Sequence, residues 1–346
     1  MNCTPNKQKN ANGNDVVEQV KKLLEERGRK TLEEAKRTIL QEEVECKEVR
    51  EALDYFIQEY WRDLARPTLL SLACEAVGGD PELTIPIAVP MMLISGAIDI
   101  HDDIIDQSKT KWSRPTVLGK FGKDIALLVG HSLLFKGLTL LHKAVEKGVP
   151  AEKLPIIINI IKRTFFELGD AEALELQFRE RIDVTPKEYV QVVEKKAADV
   201  EAHTRISAIL GGGSEDEIEA LSRYGRLLGM MMILRDDLVD MLDFKEAQHR
   251  IRVEGLPLPI LYALQNPEVN STLSAILLKR RITKREVETI LKITDKAGGI
   301  KRLREFMQKL SGSAHSYVKN LKLNKNYFEL LNNAILLPLN QVSEVC

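Results

Sequence analysis

The sequence predicts an all-α protein, and three observations carry that expectation. Only 5% of the 346 residues are aromatic, whereas Leu, Ile, Ala, Glu and Lys are abundant, a balance that favours helix over sheet. Apolar side chains return every three or four positions through most of the chain. Segments of alternating polarity, the mark of strands, do not occur at any length.

Taken in order, residues 1–14 are polar and Asn-rich and lack the apolar stretch of a signal peptide, which predicts a disordered tail. Residues 15–346 are expected to form a single helical domain. Within it, residues 15–27 and 32–60 read as amphipathic helices separated by Gly28. Arg66-Pro67 opens a helix that Gly78-Gly79-Asp80-Pro81 closes. A largely apolar helix follows over residues 90–107, then a basic loop over residues 108–122 that carries Lys109, Lys111 and Arg114. Helices are expected over 124–147 and 154–179. Thr185-Pro186-Lys187-Glu188 starts another, with Pro at the first position and Glu placed to close a capping box. It leads through Lys195 and Lys196 to three glycines, after which Ser214 and Glu217 cap a long run to Met241. Beyond Pro257 and Pro259 the chain reads as further helices without evident chemistry.

Bulk numbers exclude several classes. Fifty Lys and Arg against 51 Asp and Glu leave a net charge of −1, so no global basic field exists to attract nucleic acid. The four cysteines, Cys3, Cys46, Cys74 and Cys346, form neither a C-x-x-C pair nor a C-terminal prenylation box; a reduced, cytoplasmic protein is expected. The apolar stretch at residues 83–98 contains Pro86 and Pro90 and runs into Asp99, which predicts a buried helix and no transmembrane segment.

The chemistry gathers at Ile98-Asp99-Ile100-His101-Asp102-Asp103-Ile104-Ile105-Asp106. On a helix Asp102, Asp103 and Asp106 are three and four apart and share a face. Buried carboxylates without a counter-charge repel and neutralise at large cost, so a divalent metal is the simplest explanation. The spacing repeats at Asp236, Asp237 and Asp240, again after an apolar run. His101 is expected to pack or to support the cluster, because magnesium prefers oxygen ligands.

With two D-D-x-x-D clusters in an all-helical chain, the sequence resembles the trans-isoprenyl (polyprenyl) diphosphate synthase family over residues 61–259. The match includes Arg66-Pro67, His101, Arg114-Pro115-Thr116 and Lys195-Lys196-Ala197, similar to the family's Lys-Thr-Ala. Residues 171–178, beginning Ala171-Glu172, are similar to its Gly-Gln-x-x-Asp-hydrophobic-x-Phe. The resemblance implies a class I isoprenoid synthase helical bundle with a central cavity, and a homodimer. It implies that Asp102, Asp103, Asp106, Asp236, Asp237 and Asp240 hold Mg2+, which grips the diphosphate of an allylic prenyl diphosphate. Lys195 and Lys111, with Arg114, Arg66 and Arg250, would be its cationic partners, and Glu172 a polar wall. Asp99 lies outside the family pattern and is expected to wall the pocket or to pair with a basic residue. Small residues Ser95, Gly96 and Ala97 before the first cluster imply room for a geranylgeranyl or longer chain.

Departures from the family pattern fall on one side. Trp61-Arg62-Asp63-Leu64-Ala65-Arg66-Pro67 stands where the family has Gly-Gly-Lys-Arg-x-Arg-Pro. Ser95 replaces a His, Lys111-Trp112 an Arg-Arg pair, and Ile233 a Gln. The resemblance implies that most of the replaced groups are those that position isopentenyl diphosphate, with Arg62 a partial substitute, while Lys111 keeps the allylic-side cation. Three readings stay open: an enzyme that still elongates, a terpene synthase that needs no acceptor, and a weakly catalytic subunit of a heteromer.

Overall fold

The computed structural model describes residues 7–111 and 113–342. Trp112, Cys3 and Cys346, which the sequence singles out, lie outside the described residues. Sixteen helices and one two-stranded hairpin account for most of the described chain. In order they are α1 (Lys7–Leu40), α2 (Lys47–Asp54), α3 (Ala65–Ala76), α4 (Ile85–Ile105), α5 (Val117–Phe121), α6 (Lys123–His142), α7 (Leu154–Leu176) and α8 (Pro186–Lys196). Then come α9 (Ala198–Leu210), α10 (Glu215–Leu242), α11 (Phe244–Val253), α12 (Leu258–Leu264), α13 (Pro267–Leu277), α14 (Lys284–Lys296), α15 (Gly299–Val318) and α16 (Lys325–Val342). Strands β1 (Thr110–Lys111) and β2 (Arg114–Pro115) pair antiparallel inside the expected basic loop.

Three apolar clusters form the core. One gathers α1, α2, α4 and α6 around Phe56, Ile57, Trp61 and Leu93. A second joins α3, α4, α6, α7 and α9 through Leu70, Ile87, Met91 and Ile206. The third and largest packs α10 with α8 and α12 to α16. Helix α4 is therefore covered on opposite sides by two clusters, which is why its sequence is apolar nearly all round. Helix α10 lies on α9. Gly225 permits the close crossing, because a Cβ there would strike the Thr204 hydroxyl.

The structure corrects two expectations near the N-terminus. Residues 7–14 are helical and continue into α1, in keeping with the helix formers Lys, Gln and Ala after Pro5; the expected disordered tail therefore does not extend to residue 14. Gly28 does not divide a pair of helices, since α1 runs through it. The break comes instead at residues 41–46. What Gly28 supplies is clearance: a Cβ would lie 2.5 Å from the Leu64 carbonyl oxygen and 2.9 Å from the Thr68 hydroxyl of α3.

Two helices, Pro81–Ile105 and Lys123–His142, are long and apolar enough to cross a bilayer by length and composition. The first is 72% buried in the protein, the second 33%.

Gly28→Ala is expected to destabilise the fold by about 1–3 kcal/mol, because crowding outweighs the better helix propensity. Gly312→Ala, at a helical position of α15 with open space around it, should stabilise by about 0.5–1 kcal/mol. Denaturant melts of both variants check this; an equal gain in the two would show that α1 and α3 do not meet so closely.

Candidate active site

The last two turns of α4 project Asp99, Asp102 and Asp103 and end at Asp106, whose N–H donates to the Asp102 carbonyl at 2.8 Å. Asp102 and Asp106 are joined by Glu172 of α7, and one oxygen from each of the three lies within 4.8 Å of the others. Cations ring this group. Lys111, held out by β1, reaches Asp103 at 2.8 Å and Asp102 at 3.4 Å. Lys196, at the end of α8, pairs with Glu172 at 3.0 Å and with Glu175. Arg179 donates to the Ile105 carbonyl at 2.6 Å and lies 3.6 Å from Asp106.

The second cluster is built differently. Asp237 is fully buried, accepting from the Tyr189 hydroxyl at 2.6 Å and from Arg250 at 2.7 Å. Arg250 also donates to Asp240 at 2.9 Å, while Asp236 is held by its neighbour Arg235 at 2.6 Å. Both oxygens of Asp237 are thus engaged in structural contacts. The side chains of Asp236 and Asp240, by contrast, are partly exposed.

Electrostatics link the two clusters. Burial, with Asp102 adding like-charge repulsion, pushes the Asp106 carboxyl up to about 8. Burial likewise raises Glu172 to about 7 against the pull of Lys196, and Asp103 to about 6 against Lys111. Asp102 goes the other way: burial opposes its charge, but Lys111, Lys196 and Arg250 together hold it below the usual carboxylate range. Arg250, which clasps Asp237 and Asp240, is also among the cations that hold Asp102 down, so the α4 and α10 clusters lie within electrostatic reach of each other.

These residues fit a hard divalent cation on the α4 side. Three carboxylates converge from two helices, and burial makes two of them resist ionisation. Oxygen donors and room for phosphate are what magnesium takes.

On the opposite flank Arg66 is engaged by three carboxylates. It donates to Asp199 at 2.7 Å and Asp63 at 2.8 Å, and grips Asp99 through a two-pronged contact at 3.0 and 3.1 Å. The Ser95 hydroxyl donates to Asp199 at 3.3 Å. Asp99 therefore has its basic partner in Arg66.

Three expected site residues stand elsewhere. Lys195 points outward and lies 3.6 Å from the exposed Asp170; its neighbour Lys196 enters the cavity instead. The reason is helical phase, since Lys196 extends the buried stripe Tyr189, Val192 and Val193 and Lys195 does not. Arg114 donates to the Glu59 carbonyl at 3.2 Å from the exposed hairpin and does not join the carboxylates. Ala97 is buried among Phe56, Trp61 and Leu93, away from the slot that Ile94, Ser95 and Ile98 line. His101 packs, as expected, its ring 5.4 Å from that of His131. Sequence reasoning missed Lys196, Arg179, Tyr189 and Asp199. The period of α8 was the available signal for the first of these.

An unfolded Asp106 releases its proton near 3.8, the folded one near 8. Between these values the folded chain binds the extra proton, so its stability should be full below the window and fall as pH rises through it. Melts of the chelator-treated protein from pH 4 to 8 are expected to show this decline, and Asp106→Asn to flatten it. An unchanged slope in that variant would refute the assignment of the decline to Asp106.

Residues 46–294 match the model of the polyprenyl synthetase family. The chain is 35% identical over 192 residues to a geranylgeranyl diphosphate synthase of Methanosarcina mazei, covering 55% of this chain and 58% of that protein. It is 36% identical over 183 residues to a short chain isoprenyl diphosphate synthase of Methanothermobacter thermautotrophicus, covering 53% and 55%. The chain thus spans about half the length of the curated relatives it matches. A crystal structure of geranylgeranyl pyrophosphate synthetase from Pyrococcus horikoshii superposes with a TM-score of 0.80 at 26% identity, over 92% of this chain and 99% of that one. The fold is the helical class I isoprenoid synthase bundle, and with its family match spanning well over half its length the chain belongs to the polyprenyl synthetase family.

Proposed function

We propose that this protein is a magnesium-dependent prenyltransferase-type enzyme that ionises an allylic prenyl diphosphate. The observation that carries the reading is the convergence of Asp102, Asp106 and Glu172 with Lys111 and Lys196 beside them. Those carboxylates, with Asp236 and Asp240 across the cavity, would hold magnesium, which supplies positive charge to the departing diphosphate. Lys111 and Lys196 are ion-paired to the same carboxylates. Once the metal takes that role, both ammonium groups are released to donate to phosphate oxygens. Below them Met91, Ile94, Ile98 and Phe165 wall an apolar slot that shields the prenyl cation from water.

The acceptor side is where this chain is distinctive. A second diphosphate, that of isopentenyl diphosphate, would approach Arg66, yet Arg66 already serves Asp63, Asp99 and Asp199. Three carboxylates to one guanidinium leave the flank negative. Each charge-assisted contact that a diphosphate fails to make there forgoes roughly 1.5–3 kcal/mol. This favours a reaction in which the cation is quenched internally or by an acceptor without a diphosphate, as in a terpene synthase. A heteromeric subunit is a weaker reading, because the α4 carboxylates are complete without a partner.

The prenyl chain proposed is geranylgeranyl or longer, in keeping with relatives named for that product. The slot measures only about 20 Å³, so such a chain needs Met91 and Phe165 to turn aside; Met is suited to that. A homodimer is supported by the apolar face of α6 and α7, where Phe135 is 68% and Phe166 74% exposed. Free thiols at Cys46 and Cys74 suit a cytoplasmic setting.

Purified protein with magnesium and allylic diphosphates of several lengths is expected to release diphosphate without isopentenyl diphosphate, yielding alcohols or hydrocarbons. Asp102→Ala should lower the rate at least about a hundredfold with helicity retained. Release that continues in that variant would refute the site. Longer diphosphates formed only when isopentenyl diphosphate is added would refute the acceptor reading.

A further inference from the structure

A cleft of about 740 Å³ opens on the other face of α11 from the carboxylate cavity. Its walls are the turn after Asp106, the outer face of α11 and the segment between α13 and α14. The size is that of a ligand pocket. Its charge is one-sided: Lys109, Lys245, Arg252, Arg280 and Arg281 line it against the single carboxylate of Glu246. In a chain whose net charge is −1, such an excess is local. Arg252 donates to the Lys279 carbonyl. Lys109, Lys245, Arg280 and Arg281 make no ion pair with any described residue. The catalytic cavity contrasts with this, since there each of Arg66, Lys111, Lys196 and Arg250 meets two or three carboxylates. Phe244, Val253 and Ile282 add apolar wall.

Helix α11 ties the cleft to the cavity. On its outer face His249 places Nε2 2.9 Å from the Asp106 carbonyl oxygen and 3.4 Å from the Ser108 hydroxyl. The next residue, Arg250, turns inward to clasp Asp237 and Asp240. A ligand seated against Lys245 and Arg252 therefore bears on a helix that touches both Asp clusters.

We propose that this cleft is a second anion site, one that binds a diphosphate-bearing ligand without metal. Four unpaired cations around one opening suit a group of about three negative charges better than a single phosphate, and the apolar wall suits a ligand that also carries a hydrocarbon tail. Inorganic diphosphate and a prenyl diphosphate share this chemistry. The site does not depend on the reaction proposed above.

The test is calorimetric titration of the full chain in chelator, where binding through the carboxylates and magnesium is absent. Inorganic diphosphate is expected to bind at one site, with affinity falling as salt rises, and a prenyl diphosphate should bind more tightly if the tail uses the apolar wall. Equal affinities would assign the site to the diphosphate group alone. The Arg280→Glu, Arg281→Glu double variant should weaken binding at least about tenfold, and Lys245→Gln should weaken it less; both residues of the double variant are exposed, and circular dichroism checks folding. No binding in chelator would overturn the proposal, as would binding that survives the double variant or is lost in Lys196→Ala. Flotation with anionic phospholipid vesicles is the remaining arm: vesicle capture abolished by the double variant, without binding of soluble diphosphate, would make the cleft a membrane contact and overturn the site.

Discussion

Burial of several carboxylates together at the end of α4 governs this site. Asp102, Asp103 and Asp106 sit where the helix leaves the core, and Glu172 adds a fourth carboxylate from α7. Apolar packing runs right up to them, with Ile100 and Ile104 of the same turns in one core cluster and Ile98 against another. The chain offsets the cost of burying these charges by drawing in Lys111, Lys196 and Arg179 from three separate elements. It also leaves some of it unresolved, as the raised Asp106 and Glu172 carboxyls record. Stability is thereby given up where three convergent carboxylates offer a divalent cation its ligands.

The cavity is asymmetric in its charge. On the α4 side the cations are partners of carboxylates that a metal can take over, so they are available to phosphate. On the Arg66 side the carboxylates are the partners of a cation, and no metal is needed to satisfy them. Asp63, Asp99 and Asp199 hold Arg66 from three elements, with Ser95 completing the contact to Asp199. On this flank the Arg66 guanidinium is therefore committed to three carboxylates.

Much of this is legible in the order of residues alone. Helix starts with capping boxes at Thr185 and Ser214 form as their residues require, and each Asp cluster lies late in a long helix, α4 and α10. What escapes such a reading is rotational and tertiary. Lys195 and Lys196 are chemically equal, and only the buried stripe of α8 separates them. Ala97 is as small as Ser95, but two positions along a helix turn a side chain by about 200°, from slot to core. Arg114 follows the cluster closely in sequence, yet the β1–β2 hairpin carries it out to Glu59. Gly28 reads as punctuation because close helix crossings leave no local trace. Asp237 repeats the motif of Asp103, but Tyr189 and Arg250 reach it from distant segments that no spacing rule connects.

The central claim is that one flank of the cavity accepts a diphosphate with magnesium and the other refuses it. Calorimetric titration in magnesium, with an unreactive thiolo analogue of an allylic diphosphate and separately with isopentenyl diphosphate added to the analogue-bound protein, tests this most directly. The anion cleft is removed from the reading by using the Arg280→Glu, Arg281→Glu variant. The analogue should bind at one site and require magnesium, and isopentenyl diphosphate should give no binding heat. Tight binding of isopentenyl diphosphate, lost on Arg66→Ala, would contradict the account.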